Sequence, residues 1–328
     1  MNKLFLIGAG TRQYRHPDPY QKGRQGIEDG HAYSVLHAVT YKGERLVMVK
    51  NPWGKVEWTG PWSDGSKEWT DQALRDLNYK FGNEGIFWMP YSDFLDRFVQ
   101  IWRTRLFSPE WSISQQWTSI PVPWSGSDSR TLFDFKITSP TPTVIALSQL
   151  DSRYYGGLTG QYSYTLAFRL HKYGSKDHII QGYSSGDRSA VTEVDLKPGK
   201  YVVVMKVKAY RDSMQPTVED VIASNWLSRR DKLVRTGCAY ESAQAKGETE
   251  AKAEYREVMY RYARSAIYDS TEKEKEAPQV PAQDQPWETS VVVGLKVFCQ
   301  NTSAAIIVHE LQYMNKRAKR RWAWIMGE

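Results

Sequence analysis

Apolar residues recur at every second position in several stretches of this chain, which is the spacing of strands with one buried face. "HAYSVLHAVTY" alternates in part and "ERLVMVKN" strongly, and the Gly in the "YKGE" between them suits a hairpin turn. His31 opens the first strand of this predicted hairpin and Asn51 closes the second. Antiparallel pairing sets the start of one strand beside the end of the next, so the two residues are expected as neighbours in space. Downstream, "DQALRDLNYKFG" has the pattern of a short helix, and "GIFWMPYSDFLDRFVQIW" reads as a strand leading into a second helix.

From about Trp111 to Arg211 the pattern becomes short strands separated by turn residues: "TLFDFKITSP", "PTVIALSQLD", "YSYTLAFRLHK" and "AVTEVDLKPGKYVVVMKVKAY". Tyr164, Leu166, Phe168 and Leu170 share one face of their strand, as do Tyr201, Val203, Met205 and Val207 of theirs. This is the pattern of an antiparallel β-sandwich. Residues 217–268 turn helical, with "VEDVIASNWLSRRDKLV" and "AKAEYREVMYRYARSAIY", and "STEKEKEAPQVPAQDQP" then reads as a charged, Pro-containing linker. "TSVVVGLKVFCQ" and "SAAIIVHEL" return to strand spacing and are expected to complete the sandwich. There is no internal repeat.

The composition sharpens this picture at a few points. With 328 residues, 41% hydrophobic and 13% aromatic, the chain has ample material for packed cores. Its two cysteines, Cys238 and Cys299, make neither a disulfide framework nor a CxxC metal site, so a reducing, cytoplasmic setting is expected. No run of eighteen apolar residues occurs, and "MNKLFLIGAG" is too short an apolar stretch for a secretory signal. The formal charge of +7 is concentrated near the C-terminus, in Lys316, Arg317, Lys319, Arg320 and Arg321. Such a basic tail suits an anionic membrane surface, although a short charged terminus is more often a solvated one; no nucleic-acid partner is expected.

The hairpin's two polar ends carry the chemistry. Papain-type cysteine proteases need a thiolate, a His that holds the proton, and a third polar residue that orients the ring through its other nitrogen. Asn51 suits the third role, because an amide oxygen accepts the ring N–H without adding a second negative charge. Pro52 restricts it to extended geometry, and Trp53 stands where an indole could shield the hydrogen bond. A lone His and Asn would more often be a strand-end residue and a turn cap; here their surroundings decide. "GHAYSV", then "NPWGKVEWTGPWSD", then "GIFWMPYSDF" resemble the second half of a calpain protease core, three blocks in family order over residues 28–98. "LKPGKYVVV" and its neighbours are similar, more weakly, to the C2-like domain that follows that core.

The resemblance implies an α+β fold: a partial papain-like cysteine protease core with a β-rich second subdomain, then an antiparallel C2-like β-sandwich with a helical insertion. The expected organisation is a half-core over 1–107, a sandwich over 108–215, the insertion over 216–270, a linker over 271–287, completing strands over 288–310 and a basic tail over 311–328. By resemblance His31 and Asn51 are the catalytic His and Asn, Trp53 the shielding indole, and protein chains the substrates. The family is one of intracellular, calcium-dependent thiol endopeptidases. Glu57, Asp64 and Glu84 are the acids at calcium-binding positions, but Ile86 stands where the family has a Glu, and no EF-hand loop occurs.

The departure from the family is the nucleophile. Nothing like the family's Cys-bearing helix precedes Gly30, Cys238 follows a helical run, and Cys299 lies within a strand where a thiol is usually core. The chain is thus expected to be inactive alone, either as a fragment starting inside the catalytic domain or as a pseudoprotease that binds partners through its sandwich and tail. A half-core also leaves an apolar face that another chain would have to cover. His16, His37, His171, His178 and His309 show no ligand spacing and receive no role.

Overall fold

A computed structural model describes residues 4–12, 25–82, 84–122, 131–184, 188–247, 289–310 and 322–326. The chain divides into two compact units, Met1–Ser108 and Pro109–Glu328. Both are built mainly on antiparallel sheets.

The first unit is a five-stranded sheet in the order β4-β3-β2-β1-β5. Its strands are β1 (Phe5–Thr11), β2 (Ala32–Tyr41), β3 (Glu44–Lys50), β4 (Ile86–Pro90) and β5 (Phe98–Arg105). The predicted hairpin is β2–β3, closed by Lys42 and Gly43 at φ 47° and 86°, the paired left-handed conformation of a two-residue turn. A bulge at Leu36, between the pairs Val35↔Val49 and His37↔Met48, interrupts the ladder. Tyr33, Val35, Val47, Val49, Phe87 and Met89 pack on one face of the sheet with Trp58 and with Phe94 of helix α2 (Tyr91–Arg97). Leu46, Trp62, Trp88 and Ala73 of helix α1 (Asp71–Asp76) form a second cluster.

Three sequence expectations change here. The helix read over "DQALRDLNYKFG" ends at Asp76, because Asn78 takes a left-handed φ of 48° and Tyr79 N–H returns to the Leu74 carbonyl at 3.0 Å, a Schellman stop. The second helix ends at Arg97, and Phe98–Arg105 is strand β5, paired along β1. The segment read only as a short apolar run supplies that partner, β1, whose own pattern is obscured by Gly8 and Gly10. Gly10 is needed where Trp102 of β5 lies across it: a Cβ there would come within 2.5 Å of the ring.

In the second unit two antiparallel sheets share one aliphatic and aromatic core. One has the order β10-β9-β12-β7-β14, from β7 (Thr131–Ile137), β9 (Tyr162–Lys172), β10 (His178–Tyr183), β12 (Gly199–Arg211) and β14 (Ile306–Glu310). The other has the order β11-β8-β13-β6, from β6 (Trp111–Val122), β8 (Thr141–Gln149), β11 (Ser189–Leu196) and β13 (Thr289–Gln300). Strand β13 lies between β8 and β6 and pairs with both. Leu166, Phe168 and Leu170 point into the core opposite Leu147, Val293 and Leu295.

After β12 the chain forms α3 (Val218–Asn225), started by a capping box of Thr217 and Asp220, and α4 (Arg230–Gln244), ending in a 3-10 turn at Ala245–Gly247. The helix read over 251–268, the linker over 271–287 and the basic residues 316–321 lie outside the described residues. Beyond them Trp322 is buried against Leu132 and Val202 on the five-stranded sheet.

Candidate catalytic site

The hairpin brings its two polar ends together. His31 Nε2 lies 3.0 Å from Asn51 Oδ1. The backbone of His31 is fixed from β1, since its N–H donates to Thr11 Oγ1 at 2.9 Å and its carbonyl accepts the Thr11 N–H at 3.0 Å. Thr11 Oγ1 in turn donates to the Glu28 carbonyl at 2.7 Å. Tyr33, two residues on along β2, meets the imidazole edge-on at a centroid distance of 4.9 Å and accepts the Glu28 N–H with its hydroxyl. Tyr33 thus helps to confine the ring without taking either of its nitrogens.

Asn51 is fully buried, and all of its polar groups are engaged. Its backbone N–H donates to the Gly85 carbonyl at 2.7 Å, and its Nδ2 donates to the carbonyls of Lys55 at 2.8 Å and Val56 at 3.2 Å. Two carbonyl acceptors on one side fix which end of the amide is nitrogen, so Oδ1 must face His31. That oxygen also accepts the Trp53 N–H at 3.1 Å. Because Oδ1 only accepts, the neutral imidazole carries its proton on Nε2, and Nδ1 keeps the lone pair. No described residue hydrogen-bonds to Nδ1. The site is therefore a base with one nitrogen anchored and the other open.

The loop carrying Asn51 is strained in a way that serves this arrangement. Val56, a β-branched residue, is held at φ 63°, which costs about 1–2 kcal/mol. Its carbonyl is one of the two that orient the amide. Gly85 sits at φ 78°, and a Cβ there would meet the Asn51 carbonyl at 2.8 Å. Trp53 lies over the imidazole with centroids 4.0 Å apart and planes inclined by 32°, while remaining 59% exposed itself. Its indole thus lies against the imidazole ring while keeping much of its own surface exposed.

Glu57, Asp64 and Glu84 lie in the surrounding loops. Glu57 accepts the Gly85 N–H at 2.8 Å; burial raises its carboxyl above the usual range, and the charges of Asp64 and Glu84 add to that. Asp64 accepts the Tyr79 hydroxyl at 2.7 Å, and burial together with that carboxylate pushes the phenol well above its ordinary value. The Glu84 carboxylate lies back over Gly82. Among the described residues no three His, Cys, Asp or Glu side chains form a metal-ligand set. Glu57 instead holds the Gly85 turn against which Asn51 rests.

Both cysteines belong to the second unit, Cys238 exposed on α4 and Cys299 buried in β13, where burial raises its thiol. With hairpin and site in view, comparison with known proteins identifies the first unit. Residues 1–104 match the calpain family cysteine protease domain. The calpain-type cysteine protease DEK1 of Arabidopsis thaliana is 43% identical over 117 residues, 34% of this chain and 5% of its own length. Calpain-8 of Mus musculus is 44% identical over 107 residues, 31% of this chain and 15% of its own. Calpain clp-4 of Caenorhabditis elegans is 44% identical over 86 residues, 24% and 12% respectively. The chain thus spans a small fraction of the calpains that it matches. Among the described residues no helix is long and apolar enough to cross a membrane.

Sequence reasoning missed Thr11, Tyr33 and Gly85 in this calpain-like unit. Tyr33 had a signal, since it shares the face of His31 two residues on. Thr11 had none, because nothing local ties it to a residue twenty positions away.

Proposed function

We propose that the calpain-like unit supplies the His–Asn half of a cysteine endopeptidase centre, with protein chains as substrates. The observation that carries this reading is the buried Asn51 amide, oriented by two carbonyls so that its oxygen can only accept from His31. In the proposed reaction Nδ1 takes the proton of a thiol brought by another segment or chain. The thiolate adds to the substrate carbonyl, and Nδ1–H then protonates the departing amine, leaving an acyl thioester. Nδ1 next draws a proton from water as it attacks the thioester, and returns it to the released thiol. Asn51 holds the ring in one tautomer throughout, and Trp53 keeps water from the anchoring hydrogen bond.

The reading extends to a papain-like half-core followed by a C2-like sandwich, acting in a reducing, cytoplasmic setting where its two cysteines stay unpaired. Exposed Leu4, Leu6, Ile101 and Trp102 on the β1–β5 edge offer apolar surface to the chain that brings the thiol. No step runs through calcium. Because residues 1–108 contain no cysteine, a second reading stands beside the first: a non-catalytic binding module acting through its sandwich and basic tail.

The test supplies the chain with the Cys-bearing first half of a calpain core and follows cleavage of a fluorogenic peptide. Hydrolysis that needs both partners and vanishes in His31→Ala supports the enzyme; hydrolysis unchanged by that substitution would sink it. Nitrogen-15 spectra of the imidazole offer a check that needs no partner. A neutral ring protonated on Nδ1 rather than Nε2 would contradict the proposed role of Asn51.

A further inference from the structure

The outer face of the four-stranded sheet in the second unit carries cations around an aromatic floor. Strand register places Gly294 opposite Trp117 on one side and Ser148 on the other, and Lys296, two residues on, projects from the same face between Gln115 and Ala146. The Trp117 ring lies flat on Gly294, where a Cβ would come within 2.4 Å of it. Lys246, in the 3-10 turn after α4, stands over that ring at 5.4 Å from its centroid. Arg188, at the head of β11, borders the patch and pairs with Asp151 at 3.3 Å. The acids of this face, Glu193 and Asp195, lie further along β11, opposite Val144 and Pro142.

We propose that Lys296, Lys246 and Trp117 form a docking site for an acidic peptide segment of a protein partner, with carboxylates meeting the two ammonium groups and an apolar side chain resting beside the indole. Charge complementarity carries the choice of occupant. Neither lysine has an anionic partner among the described residues, and burial, with Arg188 and Lys246 nearby, pulls the Lys296 ammonium below the ordinary lysine range. A bound carboxylate relieves that cost. Exposed Ile113, on the same face of β6 as Trp117, continues that face with apolar surface that a peptide can follow. A bilayer fits it less well, because Trp117 lies flat and has no freedom to insert between headgroups.

The test uses the full chain and a short fluorescein-labelled peptide of glutamates around one tyrosine, with its glutamine counterpart as control. At low salt the acidic peptide is expected to bind roughly tenfold more tightly than the control, falling as salt rises. Lys296→Gln and Lys246→Gln should each weaken it severalfold without lowering the melting temperature, and Lys296→Arg should keep it. Arg320→Gln with Arg321→Gln should leave it unchanged. Equal binding of the two peptides, or loss of binding only in the Arg320/Arg321 variant, would overturn the site. So would Lys296-dependent binding to phosphatidylserine vesicles with no peptide binding, since the occupant would then be a membrane.

Discussion

Each unit places a histidine between an oxygen acceptor and a tryptophan, to different ends. In the first, His31 faces the neutral Asn51 amide at 3.0 Å under a Trp53 that is 59% exposed, and Nδ1 stays open. In the second, His309 faces the Asp134 carboxylate at 3.3 Å under a buried Trp322, and Asp134 is already paired with Lys200. A neutral acceptor with a free second nitrogen lets a ring gain and lose protons while staying in place. A carboxylate shared with a lysine and sealed by an indole makes an anchor that ties residues 322–326 to the sheet. The same residue types thus build an imidazole with one open nitrogen in one place and a fastening in the other.

The comparison can be broken most forcefully at its fastening. Trp322→Ala should cost about 3 kcal/mol, as large aromatic truncations in cores do, and lower the denaturant midpoint of the second unit with little change at His31. Asn51→Ala should cost about 2 kcal/mol by leaving the Trp53 N–H and two carbonyls without their partner, seen as a lower melting temperature of the first unit. His309→Ala should leave any hydrolysis that depends on His31 intact.

Two acids sharpen the contrast through pH. Asp151 is buried and held by Arg153 and Arg188, which bring its carboxyl down to about 2. A depressed carboxyl contributes stability above its unfolded value near 3.8 and loses it as pH falls toward 2, so Asp151→Asn should flatten acid unfolding in that window. At neutral pH the cost should be on the order of 1 kcal/mol, because both arginines are well exposed. Glu57 has the opposite sign: its raised carboxyl favours the fold below its unfolded value and loses that contribution as pH rises through the folded one. Glu57→Gln keeps an acceptor for Gly85 and removes the charge, so at pH 7 the melting temperature should stay level or rise slightly.

The pairing of His31 with Asn51 was legible because a hairpin is a local object. Once "YKGE" is read as its turn, the neighbourhood of His31 and Asn51 follows from antiparallel geometry alone. The sandwich faces were equally plain, since Leu166, Phe168 and Leu170 obey a strict period of two. Strand β5 was hidden because Phe98–Trp102 follows α2 without a turn residue, and its partner β1 carries glycines in place of the alternating side chains that announce a strand. The partners of Glu57 and Asp64, a backbone amide and a phenol, were not legible, because a residue type at a loop position does not specify where its oxygens point.

Strand β13 sits in the middle of its sheet yet is made almost last. During synthesis Ile120 and Ile145 wait for Val291 and Val297 to leave the ribosome, which at ordinary elongation rates takes on the order of ten seconds or more. For that interval β6 and β8 carry unpaired edges and an uncovered apolar face, so the nascent sandwich depends on whatever shelters it in the cell until its central strand arrives.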